Sequence, residues 1–278
     1  MNYGNNLPAG KNYPINGIQL YCEQYGKGEP LILLHGNGGD ISAFSKNIAF
    51  FARKFRVIAV DSRAHGRSKD EGDSLSFEMM AHDVAVLLDT LHLPSAYIMG
   101  WSDGGIVALL MAMKYPGKVK KLTATGANIF VDSTAFSEGS YDDMMRRYNE
   151  YKDSIFNNPE RRNDWKVFKL DVFHPSYSFD DLKAIRCPSL IIAGDNDVIA
   201  IEHTVGIFQH IPGARLWIVP NSSHATLYEH AAEFNKVVSD FFLEKEKKSL
   251  NNPGFVSQTE IHLPSLFIVS YPFRTFYR

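Results

Sequence analysis

The chain of 278 residues reads as an α/β fold: a mostly parallel sheet flanked by helices, with a helical cap insertion. Three observations predict it. Short apolar runs alternate with helix-patterned segments from about residue 30 to 127, the rhythm of a parallel sheet covered by helices. The rhythm stops at Asn128 and resumes at Ser189. At its centre, Gly100-x-Ser102-x-Gly104 joins a strand-like run, Ala96–Met99, to a helix-like run, Ile106–Met113.

The elements follow in order. Asn16-Gly17, between alternating runs, is a two-residue hairpin signal, so the chain opens on an antiparallel pair. Leu31–Leu34, Val57–Val60, Ala96–Met99 and Val119–Thr125 are short and apolar throughout, as strands buried on both faces must be. Met80, Val84, Leu87, Leu88 and Leu91 form one apolar stripe at helical spacing. Tyr115-Pro116-Gly117 stops the helix after Ser102. From Asn128 to Arg186 the chain is polar, charged and aromatic with helical character. Its regular Tyr, Trp and Phe argue for a folded cap over the sheet edge rather than a disordered linker. Ser189–Ala193 and Leu216–Val219 then read as strands, Ile201–Ile211 and Ala231–Phe242 as helices. The expected divisions are a first core part at 1–127, a helical cap at 128–186, a second core part at 187–243 and a C-terminal extension at 244–278. The extension is apolar beyond Ile261 and is expected to be dispensable for chemistry.

Composition excludes several classes. A net charge of −2 carries no electrostatic footprint for nucleic acid. No run approaches the roughly eighteen apolar residues needed to cross a bilayer, so no membrane partner is expected. The first ten residues show no basic region followed by an apolar stretch, and a cytoplasmic protein is the expectation. Cys22 and Cys187 lie far apart without metal or redox spacing, and both read as buried thiols. No metal and no cofactor is expected, and oligomeric state is not legible.

Chemistry concentrates at the ends of the strands. A serine at a sharp strand-to-helix turn is a nucleophile elbow, and side chains at Gly100 or Gly104 would collide with neighbouring backbone. The pattern alone arises by chance in about one chain in ten of this length, so its context decides. A serine nucleophile needs a base, a carboxylate to orient that base and donors for the oxyanion. The order Ser, Asp, His on such a sheet is met by Ser102, then Asp197 after the strand Ser189–Ala193, then His224 after Leu216–Val219. Each leaves the carboxyl end of its strand, where ligands bind in open α/β sheets. Asp195, two residues before Asp197, reads as a turn or cap residue; His65 and His230 read as structural. The backbone N–H groups of Asn37, in the glycine-rich loop His35–Gly39, and of Asp103 are the oxyanion donors. That loop lacks the Lys-Ser/Thr of a phosphate loop. Trp101 and Asp103, flanking the serine, are the candidate substrate contacts.

Taken together, His35-Gly36, Asp61-Ser-Arg-Ala-His-Gly-Arg-Ser68, Gly100-Trp-Ser-Asp-Gly-Gly105, Gly194-x-x-Asp197 and Ser223-His224 resemble the α/β-hydrolase superfamily over residues 12–243. Gly100–Gly105 and Gly126-Ala-Asn128 are similar to its valacyclovir hydrolase (biphenyl hydrolase-like) branch. The resemblance implies a serine hydrolase of small carboxylic or aminoacyl esters. Carbon–carbon, amide or lactone hydrolysis, perhydrolase activity, or a silent ligand-binding protein are the alternatives on the same fold. Ala64 stands where relatives often have glycine, which touches turn geometry rather than chemistry. A serine at the elbow argues against reactions that use a carboxylate nucleophile there.

Overall fold

Strands that are apolar at every position feed two cores at once. In the structure, a computed structural model describing residues 2–156 and 159–245, Ile32, Leu34, Ile58, Val60, Ile98 and Ile191 enter one core, while Leu31, Leu33, Val57, Met99, Leu190 and Ile192 enter the other. The alternation is that of a pleated sheet covered on both sides. The elements are β1 (Gly10–Ile15), β2 (Ile18–Tyr25), β3 (Glu29–Leu34), α1 (Ile48–Phe51), β4 (Phe55–Val60), α2 (Phe77–Thr90), β5 (Ala96–Trp101), α3 (Asp103–Lys114), β6 (Val119–Thr125), α4 (Ser140–Phe156), α5 (Arg162–Phe173), β7 (Ser189–Gly194), α6 (Ile201–His210), β8 (Arg215–Val219), α7 (Thr226–Glu229) and α8 (Ala231–Leu243).

The eight strands form one sheet in the order β1-β2-β4-β3-β5-β6-β7-β8. β1 pairs with β2, and β2 with β4, antiparallel; the remaining neighbours are parallel. Asn16 and Gly17 join β1 to β2 with both φ angles positive, 42° and 83°, as a primed hairpin turn requires. Helices α2, α3 and α6 cover one face; α1 and α8 cover the other. Ser76 caps α2, its hydroxyl accepting from Met79 N–H at 3.2 Å, and Met80, Val84, Leu87 and Leu88 face the core. Helix α3 is buried from Asp103 to Ala112 and ends before Tyr115, where Pro116 breaks it. Truncating one of its buried leucines would cost about 2–5 kcal/mol.

Between β6 and β7 the chain leaves the sheet and forms α4 and α5. Helix α4 is charged on its outer side, where Arg146 pairs with Asp143 and Glu150. It meets α5 through Tyr148 stacked on Trp165, with ring centroids 5.3 Å apart. Helix α5 is tied to loops of the sheet by polar contacts. Asn163 Nδ2 donates to Ala64 O at 2.7 Å, Asn37 Nδ2 donates to Val167 O at 3.0 Å, and Lys166 Nζ bonds Asp70 and Gly72. Ala64 adopts φ +66°, so this turn carries a left-handed backbone on alanine. Cys22 is buried as expected; Cys187 is not, and is only half-buried because it precedes β7 at the sheet margin. No helix among the described residues is long and apolar enough to cross a membrane. The expectation for Leu250–Arg278 lies outside the described residues.

Candidate active site

The parallel sheet sends its strand ends to one edge, and the three residues singled out from the sequence meet there. Ser102 follows β5 and opens α3 with φ +55° and ψ −123°, a conformation unusual for a residue with a Cβ. The elbow closes so tightly that a Cβ on Gly100 would lie 2.0 Å from Gly104 O, and one on Gly104 would lie 1.9 Å from Leu34 O. Ser102 N–H donates to Thr125 O at 2.8 Å, and Ser102 O accepts from Gly105 and Ile106 N–H. Backbone bonds therefore hold the strained residue from both sides.

His224 Nε2 lies 2.9 Å from Ser102 Oγ, and His224 Nδ1 lies 2.6 Å from Asp197 Oδ1. A carboxylate can only accept, so Nδ1 carries the proton and Nε2 offers its lone pair to the serine hydroxyl. Asp197 Oδ1 also accepts from Ile199 N–H at 3.1 Å, and its side chain is fully buried. Asp195 does something different: its Oδ1 accepts from Ser222 N–H at 3.0 Å and holds the loop that leads to His224. His65 Nδ1 bonds Arg63 O and His230 Nε2 bonds Asn221 O, both away from the serine.

The loop after β3 closes over the serine. A Cβ on Gly36 would approach Ser102 Cβ to 2.9 Å, so only glycine lets this backbone come so near. His35 fixes the loop: its Nε2 accepts from Ser62 N–H at 3.0 Å and its Nδ1 lies 2.7 Å from Gly36 O. Burial pushes the His35 imidazole down to about 3, which keeps it neutral and able to accept. Among the described residues, neither Asn37 N–H nor Asp103 N–H has a hydrogen-bond acceptor.

Ser102 and His224 line a cavity of about 270 Å³ together with Gly36, Asn37, Trp101 and Asp171. A second cavity of about 390 Å³, along α5 by Lys166 and His174, is lined by none of Ser102, Asp197 and His224. Trp101 lines the first cavity, but its indole N–H is engaged, donating to His224 O at 2.8 Å. Asp103 is almost wholly buried and does not reach the cavity wall. Its Oδ2 accepts from Asn37 Nδ2 at 2.9 Å, and its carboxyl hydrogen-bonds that of Asp171 on α5. Burial, reinforced by the charge of Asp171, holds Asp103 well above the ordinary carboxylate range. Burial raises Asp171 too, against the hydrogen bond from Asp103 and the electrostatic pull of His224 and Arg147. Two carboxyls in such contact share a proton. Asp171 was not among the residues the sequence singled out. Its segment carries no motif, and only the packing of α5 against the elbow brings it to the serine. Among the described residues no group of three or more His, Cys, Asp or Glu side chains is arranged to hold a metal ion.

Known proteins share this arrangement of chain. A family profile described as the alpha/beta hydrolase fold matches residues 29–147. Human serine hydrolase BPHL is 29% identical over 267 residues, an alignment spanning 86% of this chain and 88% of that protein. The 2-hydroxy-6-oxononadienedioate/2-hydroxy-6-oxononatrienedioate hydrolase of Comamonas testosteroni is 25% identical over 266 residues, spanning 82% of this chain and 92% of its own. Among solved structures, the enol-lactonase from Burkholderia xenovorans LB400 aligns with a TM-score of 0.69 at 22% identity, covering 84% of this chain and 100% of that one. The chain has the α/β-hydrolase fold and is similar to members of that superfamily. Within the superfamily it is similar to the biphenyl hydrolase-like branch, as the residues around Ser102 imply.

Proposed function

We propose that this chain is a serine hydrolase that cleaves a small carboxylic ester, aminoacyl esters included, through an acyl-enzyme. The observation that carries the reading is the unbroken chain of hydrogen bonds from Ser102 Oγ through His224 to Asp197 beside the cavity that Ser102 and His224 line. Ser102 Oγ attacks the ester carbonyl while His224 Nε2 takes its proton, and Asp197 holds the imidazole in the tautomer that can accept. The oxyanion of the tetrahedral intermediate is met by the N–H groups of Asn37 and Asp103, which have no acceptor among the described residues. Collapse expels the alcohol, protonated by His224, and leaves the acyl group on Ser102. Water, deprotonated by His224, then releases the acid and restores the serine. Every step uses groups of this chain and water.

The helical segment at 128–186 is read as the cap of this site, supported by α5 bringing Asp171 to the cavity wall. The negative charge of the Asp103–Asp171 pair supports a preference for esters with an ammonium near the scissile carbonyl, since a buried charge acts in a lowered dielectric. Trp101 serves as cavity wall. A second reading, cleavage of a carbon–carbon bond in an oxo acid, is favoured by the name of the Comamonas relative. The test is a panel of acyl and aminoacyl esters, lactones, amides and unsaturated oxo acids, assayed with wild type and Ser102→Ala. Ester turnover lost in Ser102→Ala supports the first reading. Turnover confined to the oxo acids replaces it with the second.

A further inference from the structure

The serine and the base of the relay sit on strands that are not neighbours. Ser102 follows β5, while His224 follows β8, and β6 and β7 lie between them in the sheet. The distance from His224 Nε2 to Ser102 Oγ therefore depends on how the loop after β8 is held against the end of β5. That loop has several ties, and most of them act before His224. Ser222 N–H bonds Asp195, and Ser223 bonds Glu229 through its N–H at 2.8 Å and its hydroxyl at 2.6 Å. These contacts join the loop to β7 and α7, not to the strand that carries the serine.

One contact spans the gap. Trp101, the last residue of β5 and one peptide bond from Ser102, donates its indole N–H to the main-chain carbonyl of His224 at 2.8 Å. The two rings stand 5.7 Å apart at 46°, so the indole also flanks the imidazole. Its body packs against the core beneath α1 and α8, which fixes the direction of the N–H. The donor is neutral and belongs to a rigid ring with two side-chain torsions. It holds the base-bearing residue without adding charge beside the imidazole.

Resting on the reading of Ser102 as nucleophile and His224 as base, we propose that Trp101 is a positioning residue: its indole N–H sets the approach of His224 to Ser102. A side chain that only walls the cavity would act on substrate binding and show in KM. One that only supports packing would show in thermal stability. A positioning residue shows in kcat, because a base displaced by a fraction of an ångström still binds substrate but transfers the proton poorly.

The experiment compares wild type with Trp101→Phe and with two site-specific replacements of Trp101 in the full chain. The first, 3-benzothienylalanine, keeps the indole's shape and lacks the N–H; the second, 5-fluorotryptophan, keeps both. Ester kcat and KM, thermal midpoint and the rate of labelling of Ser102 by a fluorophosphonate are measured for each. Loss of the N–H is expected to lower kcat and the labelling rate together by about 10- to 100-fold, with KM within about twofold. The 5-fluorotryptophan protein should behave as wild type. A KM rise with unchanged kcat, or full kcat in the benzothienylalanine protein, overturns the proposal. If Trp101→Phe fails to fold, the benzothienylalanine protein decides alone, because it preserves the packing volume. Wild type that is folded yet unlabelled would instead overturn the serine hydrolase reading, which keeps the two failures apart.

Discussion

The two sides of the cavity are built by different parts of the chain and by different means. On the sheet side, Ser102, Asp197 and His224 each stand at the end of a parallel strand, and backbone hydrogen bonds hold the neighbours of each. On the side of α5, Asp171 rests on a helix tied to the sheet's loops by Asn37, Asn163 and Lys166. The sheet side fixes geometry that the chemistry needs whatever the substrate is. The α5 side contributes a charged wall whose value depends on what enters. The same division separates two aspartates only two residues apart: Asp197 touches the imidazole, and Asp195 braces a loop.

If that division is right, substitutions on the sheet side should abolish turnover and those on the α5 side should change selectivity. Ser102→Ala carries the largest expected effect, a loss of about a million-fold in kcat, measured on whichever ester of the panel is turned over fastest. Asp197→Asn comes next, at about ten-thousand-fold, because an amide facing Nδ1 no longer enforces the tautomer in which Nε2 accepts. Asp195→Asn should stay within about tenfold of wild type, since its carbonyl can still accept from Ser222 N–H. Equal losses at 195 and 197 would break the contrast between relay and brace.

Much of the sheet side was legible in the sequence. A strand buried on both faces is an uninterrupted apolar run, so Leu31–Leu34 and Ser189–Ala193 announce themselves and their ends locate the site. Gly100 and Gly104 were legible because the collisions they avoid are local to the turn. Asn16-Gly17 gave its hairpin for the same reason. What could not be read were contacts between distant segments. Trp101 looked like a substrate contact, yet its N–H is spent on a carbonyl 123 residues away. Asp103 looked like the acid facing substrate because it follows the serine, but helix α3 turns its carboxyl inward to Asp171. No spacing rule links an elbow to a helix in an insertion.

Smaller effects sharpen the α5 side. Asp171→Asn should lower the preference for an α-amino ester over its desamino analogue, in kcat/KM, by about tenfold, and Asp103→Asn by a similar factor. Unchanged preference in both variants would leave α5 without a role in selectivity. The pair also predicts a pH dependence of stability. Folding raises its carboxyls above their unfolded values, so the folded protein keeps a proton that the unfolded chain has released. The stabilisation is complete below the unfolded value of about 3.9 and fades as pH rises through the folded value. The thermal midpoint of wild type relative to Asp171→Asn should therefore fall from acid toward neutral pH, by about 2–4 °C for each kcal/mol lost. A gap that widens with pH would mean the pair is ionised in the folded protein. Smallest of all is truncation after Lys248, which should leave ester turnover unchanged, because the proposed relay and α8 precede it.

The central claim is that Ser102 is the nucleophile and that His224 activates it. The direct measurement is reaction of the full chain with a fluorophosphonate, followed by intact mass and peptide mapping. A single adduct on Ser102 is predicted in wild type, none in Ser102→Ala, and labelling in His224→Ala slowed by about a thousandfold or more. An adduct on another residue, or a folded wild-type protein that takes none, would contradict the account.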